Sequence, residues 1–182
     1  MSHIVTEEPR RESMGKKVVV WGTGNVGRPA IRSVVANKDL DLAGVLVQNP
    51  DKVGKDAGDL AGIESTGIAA TDDISIALKS DIDAVVYTVN ADFRPMESLD
   101  EAETLLRNGK NVVTASFYPL YHPPSMPEDL ADRFASACAE GNASIFASGI
   151  DPGWTCDILP LLLAGVSADI TEIRSRELMN YA

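Results

Sequence analysis

Residues 17–27 read Lys17-Val18-Val19-Val20-Trp21-Gly22-Thr23-Gly24-Asn25-Val26-Gly27, and the rest of the chain is interpreted outward from them. A continuous apolar run closed by glycine is the pattern of a strand buried on both faces of a parallel sheet. Beyond the glycines, residues 29–37 read as a helix, with Ile31, Val34 and Val35 on one face and Pro29 in the first turn. A G-x-G-x-x-G carries meaning only between a strand and a helix, and that is its setting here. Gly22 permits the tight turn, Gly24 lets the backbone approach a pyrophosphate, and Gly27 lets helix and strand pack closely. The helix N-terminus presents unpaired N–H groups to phosphates. Thr23, Asn25 and Val26 complete the loop, and Arg28 adds a positive charge beside it. The stretch predicts a dinucleotide site.

Downstream, short β-branched runs alternate with helical periods. Strands are expected at 42–47, weakly at 67–70, and again at 83–89, 111–115 and 144–147, with a further one starting at 170–177. Helices are expected at 73–79, 97–108 and 157–164, the second closed by Gly109 and the third capped by Asp157. Ser125 and Glu128 have capping-box spacing before a helix through Leu130, Phe134 and Cys138 that stops at Gly141. Cys138 falls on its apolar face and reads as core filler. Six strands interleaved with helices predict a Rossmann-like doubly wound parallel sheet, with ligands at the carboxyl ends of its strands. Residues 1–15 read as a flexible polar tail, 16–165 as the dinucleotide-binding domain, and 166–182 as the start of a second domain. The polar stretch 48–66 reads as a surface excursion beside the crevice.

Sixteen basic against 27 acidic side chains leave a formal net charge of −11, which argues against a nucleic-acid or anionic-membrane partner. No apolar run reaches the ~18 residues of a membrane span, and the N-terminus lacks the apolar core of a signal peptide. Two cysteines are too few for a disulfide framework or a zinc site, so no metal is expected and a reducing, cytoplasmic setting is the default. No G-x-S-x-G elbow occurs, which leaves a hydrolase without support.

The second strand ends in Val47-Gln48-Asn49-Pro50, with no acid before Asp51 to bind the ribose of NAD. Lys52 and Lys55 follow on the loop, where a 2′-phosphate would meet them. NADP(H) is therefore favoured over NAD(H), with Asn49 and Lys52 as cofactor contacts. Thr88 and Asn90, after the 83–89 strand, are expected at the nicotinamide end. The loop after 111–115 brings Phe117, Tyr118 and His122, and the loop after 144–147 brings Asp151 and Trp154. Aromatic and titratable groups at strand ends suit a substrate crevice. Tyr118 and His122 are the candidate catalytic residues; Phe117, Asp151 and Trp154 are placed on the substrate side. His122 equally reads as a surface histidine before two prolines, and Asp151 as a helix cap.

The segments VVVWGTGNVGRPAIRSVV, QNPDKVGKDAGDLAG, NGKNVVTASFYPLYHPP and GIDPGWTCDILPLLLAG together resemble one family. It is the dihydrodipicolinate-reductase-like oxidoreductases, and within it the 2,4-diaminopentanoate dehydrogenases and native amine dehydrogenases. The resemblance spans residues 16 to 182. It implies an NAD(P)H-dependent enzyme that interconverts a ketone plus ammonia with a primary amine through an imine, acting as a homo-oligomer on a small amine- or ketone-type substrate. Amine-dehydrogenase relatives carry a glutamate where this chain has Phe117 and Tyr118, which leaves another carbonyl or imine substrate open. Relatives also continue into a substrate and oligomerisation domain, so the resemblance implies a fragment or truncated product with exposed apolar surface. A non-catalytic NAD(P)-binding regulatory module is the alternative reading.

Overall fold

The computed structural model describes residues 15–178 and residue 180, so nearly all of the predicted tail lies outside the described residues. Five parallel strands form one sheet: β1 (Lys16–Trp21), β2 (Leu40–Leu46), β3 (Ala84–Tyr87), β4 (Asn111–Thr114) and β5 (Ile145–Ala147), in the order β2-β1-β3-β4-β5. Helices α1 (Gly27–Ala36), α2 (Ala57–Ala61), α3 (Ser75–Leu78), α4 (Pro95–Arg107), α5 (Glu128–Gly141) and α6 (Leu159–Ala164) complete the regular structure. The chain winds outward from β1 to β2, then returns to β3 on the other side of β1. This reversal opens a crevice at the carboxyl ends of β1 and β3.

The β1 run is apolar throughout because both faces are covered. Val18 and Val20 pack with Ile31 and Val34 of α1 and Ala57 and Ala61 of α2. Val19 and Trp21 pack on the opposite side with Ala102, Leu105 and Leu106 of α4 and Phe134 and Ala137 of α5. Burying Leu105 or Leu106 completely contributes ~1.5–3 kcal/mol each. The sheet is the expected doubly wound, Rossmann-like one.

Several local expectations are corrected. Residues 67–70 form no strand: Gly67 takes a left-handed φ of 74°, and Ala69 and Thr71 make only isolated bridges to Asp56 and Leu46. Residues 170–177 also pair with no strand among the described residues, and a strand exists only through its ladder. The sheet therefore has five strands among the described residues, not six. Ser125 does not cap α5; its hydroxyl faces His122 Nδ1 at 2.7 Å, and the helix opens after Pro127. That helix runs through Gly141 and turns left-handed at Asn142 (φ 49°). Gly141 is kept for closeness, since a Cβ there would meet Leu106 O of α4 at 1.7 Å. Asp157 is not an N-cap either, because a π-helical turn (Trp154–Ile158) precedes α6 and contains it. Leu161, Leu162 and Leu163 of α6 are exposed, as is Phe146 of β5. Among the described residues no helix is long and apolar enough to cross a membrane.

The excursion after β2 is held by one carboxylate. Asp56 caps α2 by accepting from Gly58 N–H at 2.7 Å, and it also accepts from Thr66 N–H at 3.0 Å, Ser65 Oγ at 3.1 Å and Gly67 N–H at 2.8 Å. The Thr66 N–H above all, with those of Gly58 and Gly67, lowers its carboxyl to about 2. A depressed folded-state pKa stabilises the fold above the ordinary carboxyl range, and that stabilisation is lost as pH falls through about 2. Asp56→Asn is expected to melt below the wild type at neutral pH, with the gap closing between about pH 4 and pH 2. Melting curves across that range check it; a pH-independent gap contradicts it.

Candidate functional site

The glycine turn builds the floor of the crevice. Gly22 leaves β1 with φ 111°, a conformation that excludes other residues, and a Cβ there would meet Thr88 Oγ1 at 2.6 Å. Thr88 itself is pinned at the end of β3, where its hydroxyl and its N–H both donate to Trp21 O, at 2.9 and 2.8 Å. A Cβ on Gly27 would lie 2.0 Å from Gly22 O, so α1 starts directly against the turn. At Gly24 an added Cβ would meet nothing within 4 Å, which leaves that backbone bare towards the cleft.

The N-terminus of α1 has no side-chain cap. Its hydrogen-bond ladder begins with Arg28 N–H on Gly24 O at 3.1 Å, and the N–H groups of Asn25, Val26 and Gly27 find no acceptor among the described residues. Such donors, carrying the positive end of the helix dipole, are a ready anion site.

A cleft of about 510 Å³ lies over this turn. Of the predicted cofactor residues, Gly22, Thr23, Gly24, Asn25, Val26, Asn49, Lys52, Thr88 and Asn90 line it, and Gly27 supports it from behind. Lys52 is anchored there: its ammonium donates to Thr23 O at 3.1 Å and Thr23 Oγ1 at 3.0 Å, setting a positive charge on the glycine loop. A turn started by Asn49, whose side chain accepts from Asp51 N–H at 2.9 Å, brings Lys52 back across the loop. Asp51 is not among the lining residues, and neither is Lys55. Arg28 is exposed and its guanidinium lies 3.8 Å from where a Gly62 Cβ would stand, so it joins the excursion and not the cleft. Among the described residues, three charged or titratable ones line the cleft: Lys52, Asp92 and Tyr118. The backbone-lined turn, its free N–H groups and the neighbouring ammonium fit a dinucleotide pyrophosphate.

The substrate-side expectations fare unevenly. Tyr118 lines the cleft and is 59% exposed. Phe117 does not: it is buried in the core, stacked on Tyr87 at 5.4 Å and tilted against Phe134 at 6.3 Å. Its ring is apolar and finds a ready slot under the sheet, whereas the neighbouring phenol turns to water. His122 is exposed and not among the cleft-lining residues, and its Nδ1 faces the Ser125 hydroxyl at 2.7 Å. Asp151 and Trp154 also stand outside it. Asp151 accepts from Cys156 Sγ at 2.5 Å within its own turn, and Trp154 sits half exposed on the π-turn. Gln48, Asp92 and Ser116 line the cleft without having been singled out. Their signal was present, since each lies within a few residues of the carboxyl end of a strand.

Comparisons with known proteins agree with this geometry. An amine dehydrogenase from Streptomyces virginiae is 47% identical over 165 residues, which cover 90% of this chain and 46% of that protein. A 2,4-diaminopentanoate dehydrogenase from Acetoanaerobium sticklandii is 22% identical over 170 residues, covering 88% of this chain and 45% of the relative. The solved structure of an amine dehydrogenase from Mycobacterium smegmatis superposes with a TM-score of 0.66 at 26% identity, over 85% of this chain and 45% of that one. The chain thus spans about half the length of the relatives it matches. Residues 16–116, from the first residue of β1 to the loop after β4, match the family model for the N-terminus of dihydrodipicolinate reductase. With its glycine turn, its parallel sheet and more than half of its length inside that match, the chain belongs to the dihydrodipicolinate reductase N-terminal family.

Proposed function

We propose that this chain is the cofactor-binding part of an NAD(P)H-dependent oxidoreductase that moves hydride to or from a C=N or C=O carbon of a small amine- or ketone-type substrate. The observation that carries this reading is the uncapped α1 N-terminus lying against a bare Gly24 backbone inside the cleft. The similarity to amine and diaminopentanoate dehydrogenases supports the reaction class.

NADP(H) is the preferred cofactor. The second strand ends in Gln48 and Asn49, so no carboxylate repels a 2′-phosphate from that part of the cleft, and Lys52 holds its ammonium beside it. Charge-assisted contacts of this kind are worth roughly 1.5–3 kcal/mol. The bound dinucleotide supplies the hydride. The chain's own residues bind the phosphates at Asn25 and Val26, orient the dinucleotide between Thr88 and Asn90, and present Tyr118 and Asp92 to the reacting end. In this reading the Tyr118 phenol gives a proton to a carbonyl oxygen or a neutral imine nitrogen as hydride adds to the carbon, whereas a substrate that enters as a cationic iminium is held by the Asp92 carboxylate and takes the hydride without a further proton. His122, which is not among the lining residues, is given no role in this reading. A binding-only regulatory module is the competing reading, favoured by the absence of Asp151 and Trp154 from the cleft lining. Sustained oxidation of NADPH with a ketone and ammonia excludes it.

Parallel calorimetric titrations with NADPH and NADH test the proposal. NADPH is expected to bind about tenfold more tightly, with Lys52→Ala abolishing most of the difference. Absence of binding by either at millimolar concentration contradicts it. Two glycine variants sharpen the test. Gly24→Ala is expected to keep wild-type stability to within about 0.5 kcal/mol while weakening NADPH binding, because its methyl enters open cleft. Gly27→Ala is expected to cost about 1–3 kcal/mol in stability, because its methyl meets the Gly22 carbonyl.

A further inference from the structure

The connection from β3 to α4, residues 88–94, supplies five cleft-lining residues, Thr88 to Asp92. Thr88 is fastened to β1, but the next residues are not. Asp92 N–H donates to Asn90 Oδ1 at 3.0 Å and Arg94 N–H donates to Ala91 O at 3.2 Å, both bonds within the turn Ala91–Phe93 and its flanks. Hydrogen bonding within residues 90–93 is thus internal; Val89 and Ala91 pack on the core, and a further polar tie joins the two stems of the connection.

That polar tie comes from α4. Glu101 Oε2 accepts from the Tyr87 hydroxyl at 2.5 Å, and its Oε1 accepts from Arg94 Nη2 at 2.7 Å. Tyr87 is the last residue of β3 and Arg94 immediately precedes α4, so one carboxylate joins the two stems of the connection. Tyr87 is rigidly held: it is fully buried, edge-on to Trp21 at 5.3 Å and stacked on Phe117 at 5.4 Å. Burial pushes its phenol well above the ordinary range, so it remains a donor. Glu101 and Arg94 are mostly shielded, with side chains 18% and 28% exposed, which gives this pair more weight than an open surface ion pair. Rigidity passes from the aromatic stack through the carboxylate to the guanidinium at the turn's far end.

We infer that Glu101 is a positioning residue whose carboxylate clamps both stems of the 88–94 connection and thereby presets Asn90 and Asp92 in the cleft. The inference rests on the dinucleotide reading above for what the cleft holds, but the clamp itself is a property of the free protein. It acts through the turn and touches neither dinucleotide nor substrate.

The test compares wild type, Glu101→Ala, Tyr87→Phe and Arg94→Met by amide hydrogen exchange without ligand and by NADPH and NADH titration. Glu101→Ala is expected to speed exchange at residues 89–93 about tenfold, to leave the glycine turn protected as in wild type, and to weaken dinucleotide binding about fivefold or more. Tyr87→Phe and Arg94→Met each give part of that loss, and adding either to Glu101→Ala gives no more, because all act through one carboxylate. Unchanged affinity in Glu101→Ala overturns the inference, whether or not exchange speeds up. Uniformly faster exchange across the sheet also overturns it, because the role is then general stability. Should Glu101→Ala fail to fold, Arg94→Met decides by the same two readouts, since it leaves the Tyr87–Glu101 bond in place. A wild type that binds neither dinucleotide overturns the dinucleotide reading and this inference together. A binding wild type with equally binding variants overturns the clamp alone.

Discussion

Much of this structure depends on one close approach, the backbone of Gly27 against the carbonyl of Gly22. A side chain at position 27 would stand 2.0 Å from that oxygen, so only glycine lets α1 begin where β1 ends. The short turn aims the helix N-terminus into the crevice instead of over its rim. Because Val26 offers no capping side chain, the first N–H groups of the helix remain available to an anion. Gly22 meanwhile backs onto Thr88, which draws β3 and its following connection to the same place. Helix, turn and neighbouring strand therefore converge on one locus because two glycines lack a Cβ.

Electrostatics make that locus distinctive. A chain with a formal net charge of −11 is a poor long-range attractor of a polyanion. Binding must then rest on local fields: the α1 N-terminus and the Lys52 ammonium, which is bound to Thr23 and held on the glycine loop. The excursion that carries Lys52 has little core of its own. Asp56 keeps it shaped by gathering the backbone N–H groups of Gly58, at the start of α2, and of Thr66 and Gly67, near the excursion's end. A carboxylate used for folding in this way is not one that faces the cofactor, and Asp51, the nearest acid to the end of β2, stays out of the cleft as well.

The features legible in the sequence were those with strong local causes. An unbroken Val-Val-Val-Trp run reads as a doubly covered strand, and glycines at fixed offsets read as a turn under a helix; β1 and α1 follow, and nine of the ten residues expected at the cofactor line the cleft, with Gly27 behind them. The illegible features were set by packing between distant segments. Phe117 and Tyr118 are adjacent aromatics after one strand, and only the slot between Tyr87 and Phe134 sends one inward and leaves the other at the cleft. His122 lies beyond the turn that carries Tyr118, and its nearest neighbour is local, Ser125. A third strand at 67–70 is plausible by composition, but its N–H groups are spent within the excursion: that of Gly67 on Asp56, of Ile68 on Thr66 Oγ1 and of Ala70 on Lys55 O. Nothing in the sequence singles out Glu101, which shares α4 with the buried Ser98 and Ala102; its two partners lie seven and fourteen residues away.

The central claim is that the glycine turn and the uncapped start of α1 receive the dinucleotide phosphates. Backbone amide chemical shifts recorded while NADP+ is added test it most directly, because they report the position of binding independently of any turnover. The account predicts that the largest changes fall on Gly24, Asn25, Val26 and Gly27, with Lys52 and Asn90 next. Saturable binding with shifts confined to other surfaces, and none at these amides, would contradict it.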